Sequence, residues 1–189
     1  MSNNFIPLSA NELVKRINNI PKVELANLPT PLEFLPNISK ELEINLFIKR
    51  DDCTGLAFGG NKTRHLEFIM HKAKMGNYDC VLTGAATQSN WCRQTVAAAN
   101  KLGLETFLVL VRGIKGNQMQ GNFLLYDILG AQVDVVEGEN VEDIPEHLDR
   151  KYEELIKTGR KPLLIKGGFD IKDTVLAGIS YANAMAELD

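Results

Sequence analysis

The spacing of apolar residues along the chain switches repeatedly between a helical and an extended period. Residues 63–75 show the i, i+3, i+4, i+7 spacing of one buried helix face: Leu66, Ile69, Met70 and Ala73. The pattern predicts helices over about 63–75, 90–102, 119–129 and 143–158, and strands over about 80–83, 106–111, 132–136 and 162–165. Helices and strands that alternate at this spacing favour a parallel sheet built from right-handed βαβ units.

The residues on either side of this regular region give weaker patterns. A capping-box pattern that begins at Ser9 predicts a helix over 9–19. Four prolines then favour an extended stretch: Pro21, Pro29, Pro31 and Pro36. Alternating apolar residues predict a strand over 43–50, and the last segment predicts a loop and then a helix from about Thr174.

Composition places the chain among ordinary globular proteins and removes several functional classes. Of its 189 residues 44% are hydrophobic and 24% charged, and a net charge of −3 with a pI near 5.7 gives no signal for a nucleic-acid partner. No apolar run approaches the ~18 residues of a membrane-spanning helix, and a secretory-signal pattern is absent. Cys53, Cys80 and Cys92 form no disulfide or metal-binding pattern. We therefore expect a cytoplasmic protein that binds neither membranes nor nucleic acids.

The first candidate for chemistry is Lys62, in the sequence G-G-N-K-T-R-H-L-E of residues 59–67. Two glycines and an asparagine predict a tight turn, and the lysine follows at the start of the predicted helix. The positive potential at a helix N-terminus disfavours a second positive charge, so an amine there is easier to deprotonate. A deprotonated amine is the form that acts as a nucleophile. Taken alone, the same lysine could equally be a solvated residue near a helix end.

A second candidate follows the strand predicted over 80–83, in the loop G-A-A-T-Q-S-N. Ligands of open α/β sheets collect at the carboxyl ends of the strands. Ser89 and Asn90 begin the next helix there, so free backbone N–H groups at this position suit a carboxylate or a phosphate. Gln88 adds a second amide to the loop. The alternative is that Ser89 simply caps the helix, as serine does in proteins of any function.

Other polar residues have a structural interpretation. The chain has neither the G-x-x-x-x-G-K-[ST] nor the G-x-G-x-x-G nucleotide motif. The three histidines lack metal-ligand neighbours and are interpreted as surface or supporting residues: His65, His71 and His147. Asp51 and Asp52 would point to opposite faces of a strand, which makes a structural use more plausible than a carboxylate pair. Trp91 and Cys92 begin a helix and are expected to pack.

Taken together, these segments resemble one enzyme family. The run K-R-D-D-C-T-G-L-A-F-G-G-N-K-T-R-H-L-E resembles the segment that carries the Schiff-base lysine in the pyridoxal-phosphate enzymes of the 1-aminocyclopropane-1-carboxylate deaminase and D-cysteine desulfhydrase family. Residues 88–104 resemble the family's substrate-carboxylate loop and helix, and residues 121–133 give a third match. A fourth is P-L-L-I-K-G-G followed by A-G-I-S-Y-A-N-A. The matches cover most of the chain in the expected order.

The resemblance implies an α/β fold of the tryptophan-synthase β type, or fold type II, in which a parallel sheet has helices on both faces. Residues 1–64 would be the N-terminal arm of a large domain and would carry the lysine loop. Residues 65–170 would form the small α/β domain, and residues 171–189 would be a helix that returns to the large domain. The glycine-rich loop that holds the cofactor phosphate in relatives has no counterpart here, so we expect a fold truncated in its second half.

The resemblance also implies roles for individual residues. Lys62 would form the internal aldimine with pyridoxal 5'-phosphate and then move protons at the substrate. Asn90 would hydrogen-bond the ring hydroxyl of the cofactor, and His65 would lie near its phosphate, where many relatives have a lysine. The substrate would be bound at the start of the same helix: Gln88, Ser89, Asn90 and Trp91. Ser89 would also be a catalytic group near the reacting carbon of the substrate.

The implied activity is that of a lyase or deaminase acting on a small amino acid, with release of ammonia and a 2-oxo acid. D-cysteine would also release hydrosulfide, whereas the cyclopropane acid would undergo ring opening. Relatives are commonly homodimers, and we expect the same of the full-length protein. The alternative is a truncated paralogue, or one half of a split enzyme, that binds or assembles without catalysis.

Overall fold

The computed structural model describes residues 8–113, 116, 118–137 and 141–188. In chain order its helices and strands are α1 (Ala10–Asn18), β1 (Leu32–Phe34), α2 (Pro36–Leu42), β2 (Phe47–Lys49), α3 (Lys62–Met75), β3 (Cys80–Ala86), α4 (Asn90–Lys101), β4 (Glu105–Val111), α5 (Gly121–Ile128), β5 (Gln132–Val135), α6 (Ile144–Lys157), β6 (Pro162–Leu164) and α7 (Ile171–Met185). Short 3-10 turns connect several of them. In these residues no helix is both long and apolar enough to cross a membrane.

A four-stranded sheet with the order β5-β4-β3-β6 forms the centre of the protein. All of its neighbouring strands are parallel, and in the central pair Cys80 lies opposite Glu105 and Ala86 opposite Val111. Each strand is followed in sequence by a helix or a turn that leads to the next, as right-handed βαβ units require. The predicted parallel α/β sheet is therefore confirmed.

Helices cover both faces of this sheet. On one face Leu82 and Val109 pack with Ile144 and Leu148 of α6. On the other face the strands pack against α3, α4 and α5, and the predicted apolar stripe of α3 is buried: Leu66, Ile69, Met70 and Ala73. Because both sides of the central strands are covered, their sequences are apolar at nearly every position instead of alternating.

The N-terminal region differs from its prediction. Pro36 begins α2 instead of continuing an extended stretch, because proline is pre-organised for the first position of a helix. Glu43 ends that helix in the left-handed conformation with φ of 53°. The strand predicted over 43–50 is therefore reduced to β2, which pairs antiparallel with β1.

Two boundaries also differ from the predicted ones. β3 continues to Ala86, although Gly84 suggested that a loop begins earlier. A side chain at position 84 would place its Cβ against the carbonyl oxygen of Val109, so glycine allows the two strands to pair closely here. α7 begins at Ile171, where the Asp170 carboxylate accepts a hydrogen bond from the Lys172 N–H at 2.7 Å. The prediction for α1 is confirmed, since Ser9 Oγ caps its first turn.

A buried arginine of α3 connects the N-terminal region with the segment that follows α7. Arg64 is 1% exposed and lies 2.9 Å from Asp51 Oδ1 and 2.6 Å from Glu187 Oε1. It also donates to Thr30 Oγ1, and Lys49 approaches the same Glu187 carboxylate at 2.7 Å. Burial opposes ionisation of Glu187, but the hydrogen bonds from Arg64 and Lys49 outweigh it and lower the pKa of this carboxyl. The aspartate pair thus has a structural use, with Asp51 in a 3-10 turn instead of a strand.

Replacing Arg64 by methionine should lower the free energy of unfolding by about 3–5 kcal/mol, because two largely buried carboxylates would lose their partner. Arg16→Met is the matched control: Arg16 pairs with Glu12 at 3.0 Å, but its side chain is 63% exposed. Such surface pairs contribute about 0.3–0.5 kcal/mol. Urea denaturation measures both changes, and an equal loss in the two variants would contradict the assignment.

Candidate active site

A cavity of about 340 Å³ opens at the carboxyl end of β3. It is lined by the start of α3, the end of β3, the start of α4 and the turn before α7: Lys62, His65, Ile69, Gly84, Ala85, Trp91, Lys166, Gly167, Gly168, Phe169, Asp173, Thr174 and Ala177. This is the edge at which ligands of α/β sheets bind, and its size lies within the range of small-molecule sites. Three of the predicted site residues therefore meet in one place: Lys62, His65 and Trp91.

The turn that leads to Lys62 has an unusual backbone. Four successive residues have positive φ: Ala57 at 45°, Phe58 at 68°, Gly59 at 72° and Gly60 at 129°. A Cβ at Gly59 would collide with the carbonyl oxygen of Asp52, and one at Gly60 with the side chain of Gln94. Both glycines are therefore required by close approach as well as by conformation. Strained backbone of this kind is characteristic of functional sites.

Helix α4 holds this turn through two side chains that the sequence interpretation missed. Gln94 is fully buried, and its Oε1 accepts hydrogen bonds from the N–H and the hydroxyl of Thr63, both at 2.7 Å. Arg93 Nη2 donates to the carbonyl of Gly59 at 2.8 Å. The available signal was a pair of long polar residues one turn into an otherwise apolar helix.

Lys62 is the first residue of α3, as predicted. A second lysine lines the cavity, but Lys166 Nζ forms an ion pair with Asp149 Oδ1 at 2.7 Å. In the described part of the chain no ion pair involves Lys62. Of the two amines, Lys62 is thus the one without a carboxylate partner among the described residues.

His65 is buried, so of the two interpretations of this histidine, a surface residue or a supporting residue, the first is wrong. It is 6% exposed, its ring packs edge-on against Tyr181 at 4.8 Å, and its Nε2 has no hydrogen-bond partner among the described residues. Burial, helped by the charge of Lys62 and opposed by Asp51, lowers the pKa of His65 from 6.5 to about 4. At neutral pH the ring is uncharged, so it can offer a ligand a hydrogen bond but no positive charge.

The polar residues at the start of α4 lie beside the cavity instead of lining it. Ser89 Oγ caps the helix by accepting a hydrogen bond from the Cys92 N–H at 3.3 Å. Gln88 bonds to the start of α5, since its Oε1 accepts from the Asn122 N–H at 2.9 Å. Asn90 is exposed, and its Oδ1 accepts from Asn122 Nδ2 at 2.9 Å.

Trp91 and Asp173 complete the lining. Trp91 packs into the core, as predicted, and its Nε1 also donates to Thr83 Oγ1 at 2.9 Å. Asp173, which the sequence interpretation missed, is 7% exposed and accepts a hydrogen bond from the Gly167 N–H at 3.2 Å. Burial raises the pKa of Asp173. In the described residues no group of three His, Cys, Asp or Glu side chains is placed to hold a metal ion.

Comparison with known proteins identifies the family. The sequence profile described as "Pyridoxal-phosphate dependent enzyme" matches residues 23–189. The chain belongs to this family. Among its relatives, a putative 1-aminocyclopropane-1-carboxylate deaminase of Pyrococcus horikoshii is 39% identical over 168 residues, which are 89% of this chain and 50% of the relative. A D-cysteine desulfhydrase of Klebsiella pneumoniae is 36% identical over 179 residues, 93% of this chain and 53% of the relative.

Solved structures of pyridoxal-phosphate enzymes agree. A crystal structure described as that of an ACC deaminase homologue superposes with a TM-score of 0.84 at 36% identity, over 93% of this chain and 52% of its own. Diaminopropionate ammonia lyase of Escherichia coli, at 16% identity and a TM-score of 0.62, shares the fold over 97% of this chain and 53% of its own. The family resemblance and the fold type II architecture are confirmed. The chain spans about half the length of the relatives it matches.

The cofactor of the family is pyridoxal phosphate, and the cavity fits it on three observations. Lys62 contributes an amine without a carboxylate partner in the described residues. His65 contributes a buried Nε2 that lacks a partner there. The N-terminus of α4 begins next to the cavity, where backbone N–H groups favour an anion.

The lowered pKa of His65 predicts a specific pH dependence of stability. Between its unfolded value of ~6.5 and about 4, the unfolded chain binds a proton that the folded chain does not. The stabilisation is therefore complete above pH ~6.5 and is lost as the pH falls, so the free energy of unfolding should drop by about 1–2 kcal/mol between pH 7 and pH 5. His65→Gln should remove this part of the dependence. An NMR titration of the ring with a midpoint near the unfolded value would contradict the prediction.

Proposed function

We propose that the protein takes part in the pyridoxal-phosphate-dependent removal of the amino group from a small amino acid, with Lys62 as the residue that bonds to the cofactor. The observation that supports this most directly is the cavity itself. It combines a lysine at a helix start, without an ion-pair partner in the described residues, with a neutral buried histidine, and it lies at the ligand-binding edge of the sheet. The activity that we propose for the whole protein rests on the activities after which its relatives are named.

Each side chain would have a distinct task in holding the cofactor. Lys62 would hold it covalently through Nζ. Asn90 would donate from Nδ2 to the ring hydroxyl, because its Oδ1 is already occupied by Asn122. His65 would donate or accept one uncharged hydrogen bond at the phosphate, in place of an ion pair. When bound, pyridoxal phosphate supplies an electron sink for a carbanion at the substrate Cα.

The same helix start would receive the substrate. The backbone N–H groups of Asn90 and Trp91, with Ser89 and Gln88 beside them, would bind the substrate carboxylate. Lys62 Nζ, once the substrate amine has replaced it, would take up or return a proton at the reacting carbon. Ser89 Oγ would contribute there only by giving up its capping hydrogen bond with Cys92.

The reaction class follows from the relatives as a proposal. D-cysteine and water would give pyruvate, ammonia and hydrogen sulfide, whereas 1-aminocyclopropane-1-carboxylate and water would give 2-oxobutanoate and ammonia. A D-cysteine desulfhydrase-like lyase is our leading assignment.

The free thiols Cys53, Cys80 and Cys92 support a cytoplasmic setting. We also propose that the full-length protein is a homodimer. Within this chain, residues 1–64 would be the N-terminal arm of the large domain, residues 65–170 the small domain and residues 171–189 the helix that returns to the large domain.

A second candidate function is a binding or assembly module without catalysis. It is favoured by the two-stranded sheet of β1 and β2, where the rings of Phe34 and Phe47 pack on each other with centroids 5.2 Å apart yet remain about half exposed, at 47% and 52%. An exposed aromatic pair of this kind is suited to contact with another polypeptide.

Borohydride reduction in the presence of pyridoxal phosphate should fix the cofactor to Lys62. Peptide mass mapping of the wild-type chain should place the label there, and Lys62→Ala should abolish it. Lys166→Ala is the matched control, because it removes the other lysine of the same cavity; labelling of Lys62 should persist in it. A label on Lys166, or labels spread over surface lysines, would refute the assignment.

Turnover by the 189-residue chain should be absent or very low, because it spans only half of the relatives it matches. Hydrogen sulfide and 2-oxo acid release from D-cysteine and from 1-aminocyclopropane-1-carboxylate are the measurements. Robust release of either product would contradict this expectation and would eliminate the non-catalytic candidate.

A further inference from the structure

Asn122, the second residue of α5, has every polar atom of its side chain engaged. Its Oδ1 accepts from Arg93 Nη1 at 2.9 Å, and its Nδ2 donates to the Gln88 carbonyl at 2.8 Å and to Asn90 Oδ1 at 2.9 Å. Its backbone N–H donates to Gln88 Oε1 at 2.9 Å. An amide bonded on both ends in this way has one permitted orientation.

Arg93 and the Gln88 carbonyl together decide which orientation that is. A guanidinium has only donors and a carbonyl can only accept, so Asn122 must turn its oxygen toward Arg93 and its nitrogen toward the start of α4. That nitrogen has only donors as well, so Asn90 must meet it with its oxygen. The NH₂ group of Asn90 is consequently left facing away from Asn122. Arg93 thus orients the amide of Asn122, and Asn122 in turn orients the amide of Asn90.

We propose that Arg93 is a positioning residue that makes Asn90 a hydrogen-bond donor toward the cofactor. The inference rests on the proposed function, which assigns Asn90 to the ring hydroxyl. Arg93 serves the second cofactor contact as well, because its Nη2 donates to the Gly59 carbonyl in the turn that carries Lys62. One side chain therefore sets both the polarity of the amide and the position of the turn before the amine.

Packing of α4 against α5 does not by itself require a partly buried cation at this position. Arg93 is partly buried, its Nε has no partner among the described residues, and burial lowers the pKa of its guanidinium. At the far end of the same helix pair, Asn100 joins α4 to α5 by a single exposed hydrogen bond from Nδ2 to the Leu129 carbonyl at 2.8 Å. Asn100 thus provides a matched control for a contact between the two helices that does not touch the site.

The first test uses the 189-residue chain without cofactor. Asn122→Asp keeps the acceptor for Arg93 but replaces the Nδ2 donor by an oxygen, so Asn90 must reverse and donate to it. The side-chain NH₂ signals of Asn90 in ¹H–¹⁵N NMR spectra, assigned by their loss in Asn90→Ala, should move downfield and exchange more slowly with water. Asn100→Asp should leave them in place. Unchanged Asn90 signals in Asn122→Asp would overturn the proposal.

A second pair of variants tests the role of the cation. Arg93→Met removes the donor that holds Asn122 Oδ1 and leaves only the Gln88 carbonyl to orient this amide, so its reversed orientation should become populated and the NH₂ signals of Asn90 should broaden or split. Arg93→Lys supplies another group that can only donate and should restore a single set. A single unshifted set in Arg93→Met would also overturn the proposal.

Binding of pyridoxal phosphate separates this inference from the proposed function. Asn90→Ala and Asn122→Asp should each weaken binding by ~10-fold or more, whereas the double variant should be no weaker than Asn90→Ala, because Asn122 acts through Asn90. If Asn90→Ala binds pyridoxal phosphate as tightly as the wild type does, the proposed contact between Asn90 and the cofactor is wrong. The NMR measurements then still decide whether Arg93 and Asn122 orient the Asn90 amide. If Asn90→Ala weakens binding and Asn122→Asp does not, or if their effects simply add, the positioning role fails alone.

Discussion

The position of Lys62, the proposed cofactor-binding lysine, depends on one buried amide. Gln94, without exposed surface, receives two hydrogen bonds from Thr63, the residue directly after Lys62. The glycine turn before the lysine then has to pass so close to that amide that a Cβ at Gly60 would collide with it. Four positive φ angles in succession are the cost of this close passage. A strained turn persists only where its surroundings determine it, and α4 provides those surroundings.

Much of the fold was predictable because it is governed by apolar periodicity. The stripe that begins at Leu66 and the apolar runs of β3 and β4 predicted a parallel sheet with packed helices, and the structure confirms it. The failures occurred where local rules compete. A proline that suggested extension at Pro36 is instead the first residue of a helix, and Gly84 lies in a strand because the neighbouring backbone is close.

The candidate site was predictable only in part, for a different physical reason. Lys62 and the start of α4 are marked by local turn and helix signals, so sequence identifies them. Arg93, Asn122 and Gln94 act through contacts between segments about 30 residues apart, with Arg93 and Asn122 separated by 29 and Thr63 and Gln94 by 31. Polarity passed between side chains in this way leaves no periodic pattern in a single sequence. The neutral state of His65 likewise arises from burial, which its place in a predicted helix did not reveal.

The contacts of α7 have a consequence for the order in which the protein forms during synthesis. Asn61 donates to the hydroxyl of Tyr181, and Arg64 bonds to Glu187, so both flanks of Lys62 are held by residues that are made 120 and 123 positions later. At a translation rate of about 5–20 residues per second, the partners of Arg64 become available about 6–25 s after it. The segment around Lys62 is therefore fixed in place only after α7 and Glu187 have been made.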